Sequence, residues 1–170
     1  GNEITDVVLD SSVTTIPQYA FSCDNITSVV IPYSVTSIGD YAFEDCTSLS
    51  SITIPDSVTT IGSSTFEGCT SLTSVTIPDS VTTIGSYAFY SCDSLTDVYY
   101  AGSQEDWRKI SINYYNGYLT DANIHYKHVH DYSLFTPVTV APTCTKTGYT
   151  EYTCALGEKY RTEYLPALGH

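Results

Sequence analysis

A period of 23 residues runs through much of the chain and constrains its fold more than any other feature. The period is visible in four sets of residues: Cys23, Cys46, Cys69 and Cys92; Phe43, Phe66 and Phe89; Leu49, Leu72 and Leu95; and Pro32, Pro55 and Pro78. The repeated unit reads S-V-T-x-I-G-x-x-A-F-x-x-C-x-S-L-x-x-V-T-I-P-D. A unit this short cannot bury its own apolar side chains, so the copies are expected to stack into a solenoid with a shared core.

The copies divide the first part of the chain at regular intervals. Full copies span residues 12–33, 34–56, 57–79 and 80–102, and the first is one residue shorter than the others. Residues 4–11 match the second half of a further copy, so we expect more repeats upstream of residue 1.

Two patterns within each copy predict its local structure. Apolar and polar residues alternate from Leu72 to Ile77, which favours a half-buried strand. Pro78 and Asp79 then predict a turn. Val81, Ile84, Ala88 and Phe89 follow at the i, i+3, i+7, i+8 spacing of a short helix, which we expect on the side opposite the strand.

These repeats closely resemble the BspA-like (Treponema-type) leucine-rich repeats of bacterial surface proteins over residues 4–126. The resemblance implies an α/β repeat solenoid, a right-handed horseshoe with a parallel sheet on its concave side and short helices opposite. Residues 99–107 resemble the family's C-terminal capping segment and residues 122–126 its final strand. We therefore predict leucine-rich repeats over 1–102, a cap over 103–126 and a small β-rich module over 127–170.

The predicted cap and module have physical signals of their own. Ser103 is placed to cap the N-terminus of a helix with acidic residues in its first turn, and Trp107 is placed to cover the apolar edge of the last repeat. Beyond residue 126, tyrosines alternate with threonine and valine, which predicts a few short strands.

The charge of the chain excludes several classes of partner. The formal net charge is −13, all six basic residues follow Trp107, and twelve acidic residues lie within 1–102. Such a surface repels nucleic acid and anionic lipid, and no apolar run reaches the about 20 residues that span a bilayer. The charge suits a soluble rod; the alternatives are attraction of a basic protein and weak calcium binding along the Pro-Asp turns, where Asp56 and Asp79 would lie about 5 Å apart.

The six cysteines fall into two groups. Cys23, Cys46, Cys69 and Cys92 are predicted to form a reduced structural ladder, in which each thiol fills core space and satisfies backbone groups. Cys144 and Cys154 flank a hairpin signal at Gly148 and are predicted to form a disulfide. The alternative is a zinc site that uses these two cysteines with His128, His130 or His170, although a further cysteine at C-x-x-C spacing is missing.

The predicted concave strip is the main candidate binding surface. With Leu72, Val75 and Ile77 pointing inward, two outward columns follow: Asp6, Ser28, Ser51, Ser74 and Asp97, and Val8, Val30, Thr53, Thr76 and Tyr99. Tyr114, Tyr115 and Tyr118, beside Asn116 and Gly117, are typical of an adaptable binding loop and are predicted to lie at the same end as Tyr99. The alternative is that the strip is merely soluble and that the tyrosines cover the cap.

The expected function of the chain follows mainly from its resemblance to the leucine-rich-repeat family. The sequence shows no catalytic constellation and implies no cofactor. The family implies a secreted or cell-surface bacterial protein that adheres, without catalysis, to a host or microbial surface protein through its concave face. Two alternatives stay open: carbohydrate binding through Tyr114, Tyr115 or Tyr118, and a passive spacer that presents another domain.

Overall fold

The chain consists of two compact units, residues 1–127 and residues 128–170. Its structure is a computed structural model, which describes residues 6–22 and 25–127 and, in the second unit, the backbone of residues 138–140, 148–153 and 159–165.

The first unit is a solenoid of short strands. In its described part the strands are β1 (Asp6–Val8), β2 (Thr15–Ile16), β3 (Ser28–Val30), β4 (Ser37–Ile38), β5 (Ser51–Thr53), β6 (Thr60–Ile61), β7 (Ser74–Ile77), β8 (Thr83–Ile84), β9 (Asp97–Tyr100), β10 (Ser111–Ile112) and β11 (Asn123–Tyr126), and the helices are α1 (Gln104–Trp107) and α2 (Gly117–Thr120). The odd-numbered strands β1 to β11 lie on one side of the solenoid, in two sheets. Strands β1 and β3 form the first, and the second consists of β5, β7, β9 and β11. The even-numbered strands form a five-stranded sheet. Every one of these pairs is parallel.

The core of the solenoid is a continuous file of stacked side chains. The ring centroids of Phe21, Phe43, Phe66 and Phe89 are separated in turn by 5.2, 5.4 and 5.1 Å. The last three rings have no exposed surface. The prediction that the repeats share one core is therefore confirmed, since each ring is covered by the rings of its neighbours.

The Pro-Asp dipeptides turn the chain as predicted. The Val58 amide donates to the Pro55 carbonyl at 3.0 Å, and the Val81 amide donates to the Pro78 carbonyl at 3.3 Å. Between repeats, the Ser80 hydroxyl donates to the Val58 carbonyl at 2.7 Å. This contact explains the serine that opens each unit, because its hydroxyl ties one turn to the preceding copy.

The prediction of short helices on the side opposite the strands is wrong. Thr83–Ile84 is strand β8, and the residues that follow form turns in which Tyr87 and Ser91 have φ values of 60° and 56°. A right-handed helix cannot pass through such residues. The backbone donors bond to the next coil instead, as in the 2.8 Å bond from the Phe66 amide to the Ala88 carbonyl.

Residues 103–126 form a further coil of the same solenoid. Ser103 caps helix α1 in a reciprocal capping box with Asp106, which confirms the predicted N-cap. Trp107 is buried and meets the Tyr100 ring edge-on at 5.1 Å. Strands β10 and β11 extend the two sheets by pairing with β8 and β9, so a strand is present where residues 122–126 were expected to form one. That this coil caps the stack stays a prediction.

The second unit contains a separate antiparallel sheet. Its strands are β12 (Val138–Val140), β13 (Gly148–Thr153) and β14 (Lys159–Leu165), in the order β12-β13-β14. Short strands were expected here. Gly148 is the first residue of β13, however, and so does not lie at the centre of a hairpin turn.

Candidate functional site

The outward residues of the odd-numbered strands form a surface that we call the front face. Asp6 lies beside Ser28 and Val8 beside Val30. Two longer rows follow in register: Ser51, Ser74, Asp97 and Asn123, and Thr53, Thr76, Tyr99 and His125. The structure thus confirms the predicted arrangement of both columns within each sheet and adds Asn123 and His125 to them; a binding role for these residues stays a prediction.

Hydrogen bonds fix the two carboxylates of the front-face columns, Asp6 on β1 and Asp97 on β9. Asp6 accepts from the Ser28 hydroxyl at 2.6 Å. Asp97 pairs with His125 Nε2 at 2.7 Å and accepts from the Thr96 hydroxyl at 2.8 Å. The bond from His125, followed by that from Thr96, holds the pKa of Asp97 below its ordinary value. Asp97 therefore stays charged at neutral pH.

His125 completes an aromatic pair that the sequence argument missed. Its ring stacks on Tyr99 with centroids 4.7 Å apart and an interplanar angle of 14°. The signal that could have found this pair is the match between Asp97-Val98-Tyr99-Tyr100 and Asn123-Ile124-His125-Tyr126, which puts His125 one coil after Tyr99.

The front face also exposes apolar surface. Val8 and Val30 are 74% and 56% exposed on it, and Tyr33, in the turn that follows β3, is 78% exposed. Val30 and Tyr33 line a groove of about 410 Å³ together with Thr53 and Thr76. Exposed apolar side chains grouped on a regular sheet are typical of a contact surface for another protein.

Tyr99 and the tyrosines of the loop contact different partners. Tyr99 stacks on His125 on the front face. Tyr115 instead stacks on Tyr87 at 4.4 Å, and Tyr118 meets Tyr90 edge-on at 6.2 Å. Tyr114 is 80% exposed. Tyr90, Tyr115 and Tyr118 line a separate pocket of about 490 Å³. The loop and the front face are therefore two surfaces.

The thiols of Cys46, Cys69 and Cys92 form the predicted ladder. Each is buried, and each Sγ donates to a phenylalanine carbonyl of the preceding coil, with distances of 3.1 to 3.2 Å to Phe21, Phe43 and Phe66 respectively. Cys23, Cys144 and Cys154 lie outside the described residues, as do the histidines of the alternative zinc site. The disulfide between Cys144 and Cys154 stays a prediction.

The ladder cysteines are expected to resist alkylation in the folded protein. Burial raises the pKa of Cys92 to about 12 and raises that of Cys69 further, whereas the thiolate is the reactive form. At pH 8 we expect iodoacetamide to label Cys69 and Cys92 at least a hundredfold more slowly in buffer than in urea, measured by peptide mass spectrometry. Equal rates in the two conditions would show that these thiols are not buried.

Asn116 has a structural role that the sequence argument did not assign. Its buried side chain accepts from the Phe89 amide at 3.1 Å and donates to the Gly85 carbonyl at 2.9 Å. These two bonds tie the last coil to the repeat before it.

Within 6–22 and 25–127, no group of three or more His, Cys, Asp or Glu side chains is arranged to hold a metal ion, and this range includes Asp56 and Asp79. None of the helices in the described part of the chain has the length and apolar character needed to cross a membrane.

A file of buried phenylalanines, a strand from each coil and inward cysteines together define a leucine-rich-repeat solenoid. The family model for the BspA-type leucine-rich repeat region matches residues 1–128 with six copies. The chain belongs to this family. Six copies agree with the four full units, the partial unit before them and the further coil after them.

Solved structures of bacterial leucine-rich-repeat proteins are similar to this chain. A protein from Bacteroides ovatus is 31% identical, with a TM-score of 0.58 over 73% of this chain and 30% of that one. One from Eubacterium ventriosum is 34% identical, with a TM-score of 0.55 over 58% and 27%. A leucine-rich cell surface protein from Faecalibacterium prausnitzii is 34% identical, with a TM-score of 0.51 over 64% and 35%.

The chain spans about a third of the length of each of these proteins. Among curated proteins, none is significantly similar to it. Membership of the family indicates a protein-interaction or cell-surface module of a generally non-catalytic kind. The family and the cell-surface relative together suggest an extracellular location.

Proposed function

We propose that the first unit is an adhesion module that recognises a basic protein on a host or microbial cell surface through its front face. The observation that carries this proposal is the regular front face itself, where polar columns in register hold the fixed carboxylates of Asp6 and Asp97 and expose Val8, Val30 and Tyr99. Apolar side chains supply contact area at such a surface, and charged residues around them select the partner.

The negative charge of the repeats favours a partner with a basic surface. Residues 1–102 contain twelve acidic and no basic residues. A field of one sign speeds the approach of an oppositely charged protein and repels others, and salt weakens the effect. The partner should therefore carry a basic surface, and binding should weaken as ionic strength rises.

A matched pair of substitutions tests which face binds. Thr53 is exposed on the front face, and Thr60, near the start of the next repeat, is exposed on the five-stranded sheet of even-numbered strands. We expect Thr53→Arg to weaken binding to a basic surface protein at least tenfold by adding bulk and like charge, whereas Thr60→Arg should change it less than twofold. Surface plasmon resonance on a panel of immobilised basic and acidic extracellular proteins measures both effects.

Equal losses for the two variants would contradict recognition through the front face. Equal binding to basic and acidic proteins would contradict the role of charge. If no protein of the panel binds, the passive spacer accounts for the chain better. Circular dichroism of each variant checks that the fold is retained.

A further inference from the structure

A pocket at the last two coils lies apart from the residues assigned to recognition. It has a volume of about 490 Å³ and is lined by Tyr90, Leu95, Tyr115, Tyr118 and Asp121, among others. A volume of this size is typical of sites that take small molecules or single side chains. The front-face residues discussed above do not line it, so its role is independent of the proposed adhesion.

The pocket has aromatic walls at right angles. The rings of Tyr90 and Tyr118 meet at 88° with centroids 6.2 Å apart, and both side chains keep about 40% of their surface exposed. Tyr115 is 62% exposed, and its ring is supported by the stacked ring of Tyr87. Rings held in different orientations around one space can present several π faces to a single ligand.

The pocket is also acidic. The Asp121 carboxylate lies in its wall, and none of its lining residues is basic. Asp93 forms a hydrogen bond with Tyr118 and, together with its charge, raises the pKa of that phenol. Tyr118 therefore stays a neutral phenol at physiological pH, and the fixed charge around the rings is negative.

We propose that this pocket binds an alkylammonium group, such as the trimethylammonium group of choline or a methylated lysine. Such a cation is attracted by the faces of electron-rich rings and by a nearby carboxylate. It also needs few directed hydrogen bonds, which matches a lining of phenols and one carboxylate. An anion would be repelled by Asp121, and a neutral sugar would leave the charge uncompensated.

Titration of the full chain with tetramethylammonium chloride tests this assignment. Nuclear magnetic resonance should show shifts at residues 90, 118 and 121 that equal concentrations of sodium chloride do not produce. Choline should bind at least tenfold more tightly than 3,3-dimethylbutan-1-ol, its uncharged carbon isostere, because the isostere lacks the charge that the rings and carboxylate attract.

Two substitutions in the lining test whether choline binds in this pocket. Tyr118→Ala and Asp121→Asn should each weaken choline binding about threefold to thirtyfold. Tyr114→Ala is the matched control, because Tyr114 is exposed beside the pocket but does not line it. If removal of the Tyr118 ring disturbs the fold, the Asp121→Asn variant alone tests the site, because it keeps the shape of the pocket wall.

Three outcomes overturn the proposal. The first is equal affinity for choline and for its uncharged isostere. The second is binding that survives both pocket substitutions or is lost equally with Tyr114→Ala. The third is binding of a neutral monosaccharide, and not of ammonium, at the same residues, which would establish a sugar site instead. Because the front-face variants leave these residues unchanged, failure here is distinguishable from failure of the adhesion proposal.

Discussion

Replacing Phe66 with alanine is expected to lower the free energy of unfolding by about 3–5 kcal/mol. The Phe66 ring has no exposed surface and lies between the rings of Phe43 and Phe89, at 5.4 and 5.1 Å. The substitution removes both ring contacts and leaves a cavity in the middle of the stack. A solenoid is held together by contacts between neighbouring coils, so a cavity here weakens two interfaces at once.

Urea denaturation followed by circular dichroism measures this loss. Phe21→Ala is the matched control, because Phe21 is only half-buried and has one described ring partner, Phe43. We expect a clearly smaller loss at Phe21 than at Phe66. Similar losses at the two positions, or a loss below about 1 kcal/mol at Phe66, would contradict a core shared along the file of rings.

The sequence predicted the stacking of the coils well, because a fixed period leaves few ways to align them. Phe43, Phe66 and Phe89 recur every 23 residues. Once the copies are superimposed on them, each of the remaining positions of the unit also forms a column along the stack. The rows Ser51-Ser74-Asp97 and Thr53-Thr76-Tyr99 follow from that step alone and match the strand register. Periodicity thus gave both the core and the surface opposite it.

The predicted helices failed because the apolar pattern does not report backbone conformation. Val81, Ile84, Ala88 and Phe89 are all buried, as the pattern required, yet they form no helix; the Ala88 carbonyl, for example, accepts from the Phe66 amide of the neighbouring coil. The chain turns here through residues with a positive φ, a conformation that a sequence usually signals with glycine. Most of these residues are tyrosine, serine or aspartate, so the sequence did not indicate their conformation. Gly68 is the one glycine among the described residues with positive φ.

The candidate site was predicted only in part. The front face could be read from alternation along the strands, whereas the placement of Tyr118 depended on how the last coil folds around α1 and α2. Closeness in sequence predicted that Tyr99 and Tyr118 lie at the same end, but it did not reveal that Tyr99 stacks on His125 and that Tyr118 meets Tyr90. The last coil departs from the 23-residue unit, so the period could not place its side chains.

The glycine that recurs in the last three full units, at Gly39, Gly62 and Gly85, has a steric reason that periodicity alone did not supply. A Cβ atom on Gly85 would lie 2.5 Å from the Ser63 nitrogen and 2.6 Å from the Gly62 carbonyl carbon, and Gly62 and Gly39 meet the preceding coil in the same way. The contacted atoms at Gly85 are backbone, so no side chain can rotate away. The 2.9 Å bond from the Gly85 amide to the Ile61 carbonyl depends on this close approach.

Gly85→Ala is therefore expected to destabilise the solenoid by about 1–3 kcal/mol or more, because the two coils must separate to admit the methyl group. Gly117→Ala is the matched control, since a Cβ atom there meets nothing within 4 Å and alanine suits a helix better than glycine. Urea unfolding of both variants measures the difference. If Gly85→Ala is as stable as Gly117→Ala, backbone contact between coils is not what requires glycine in the repeat.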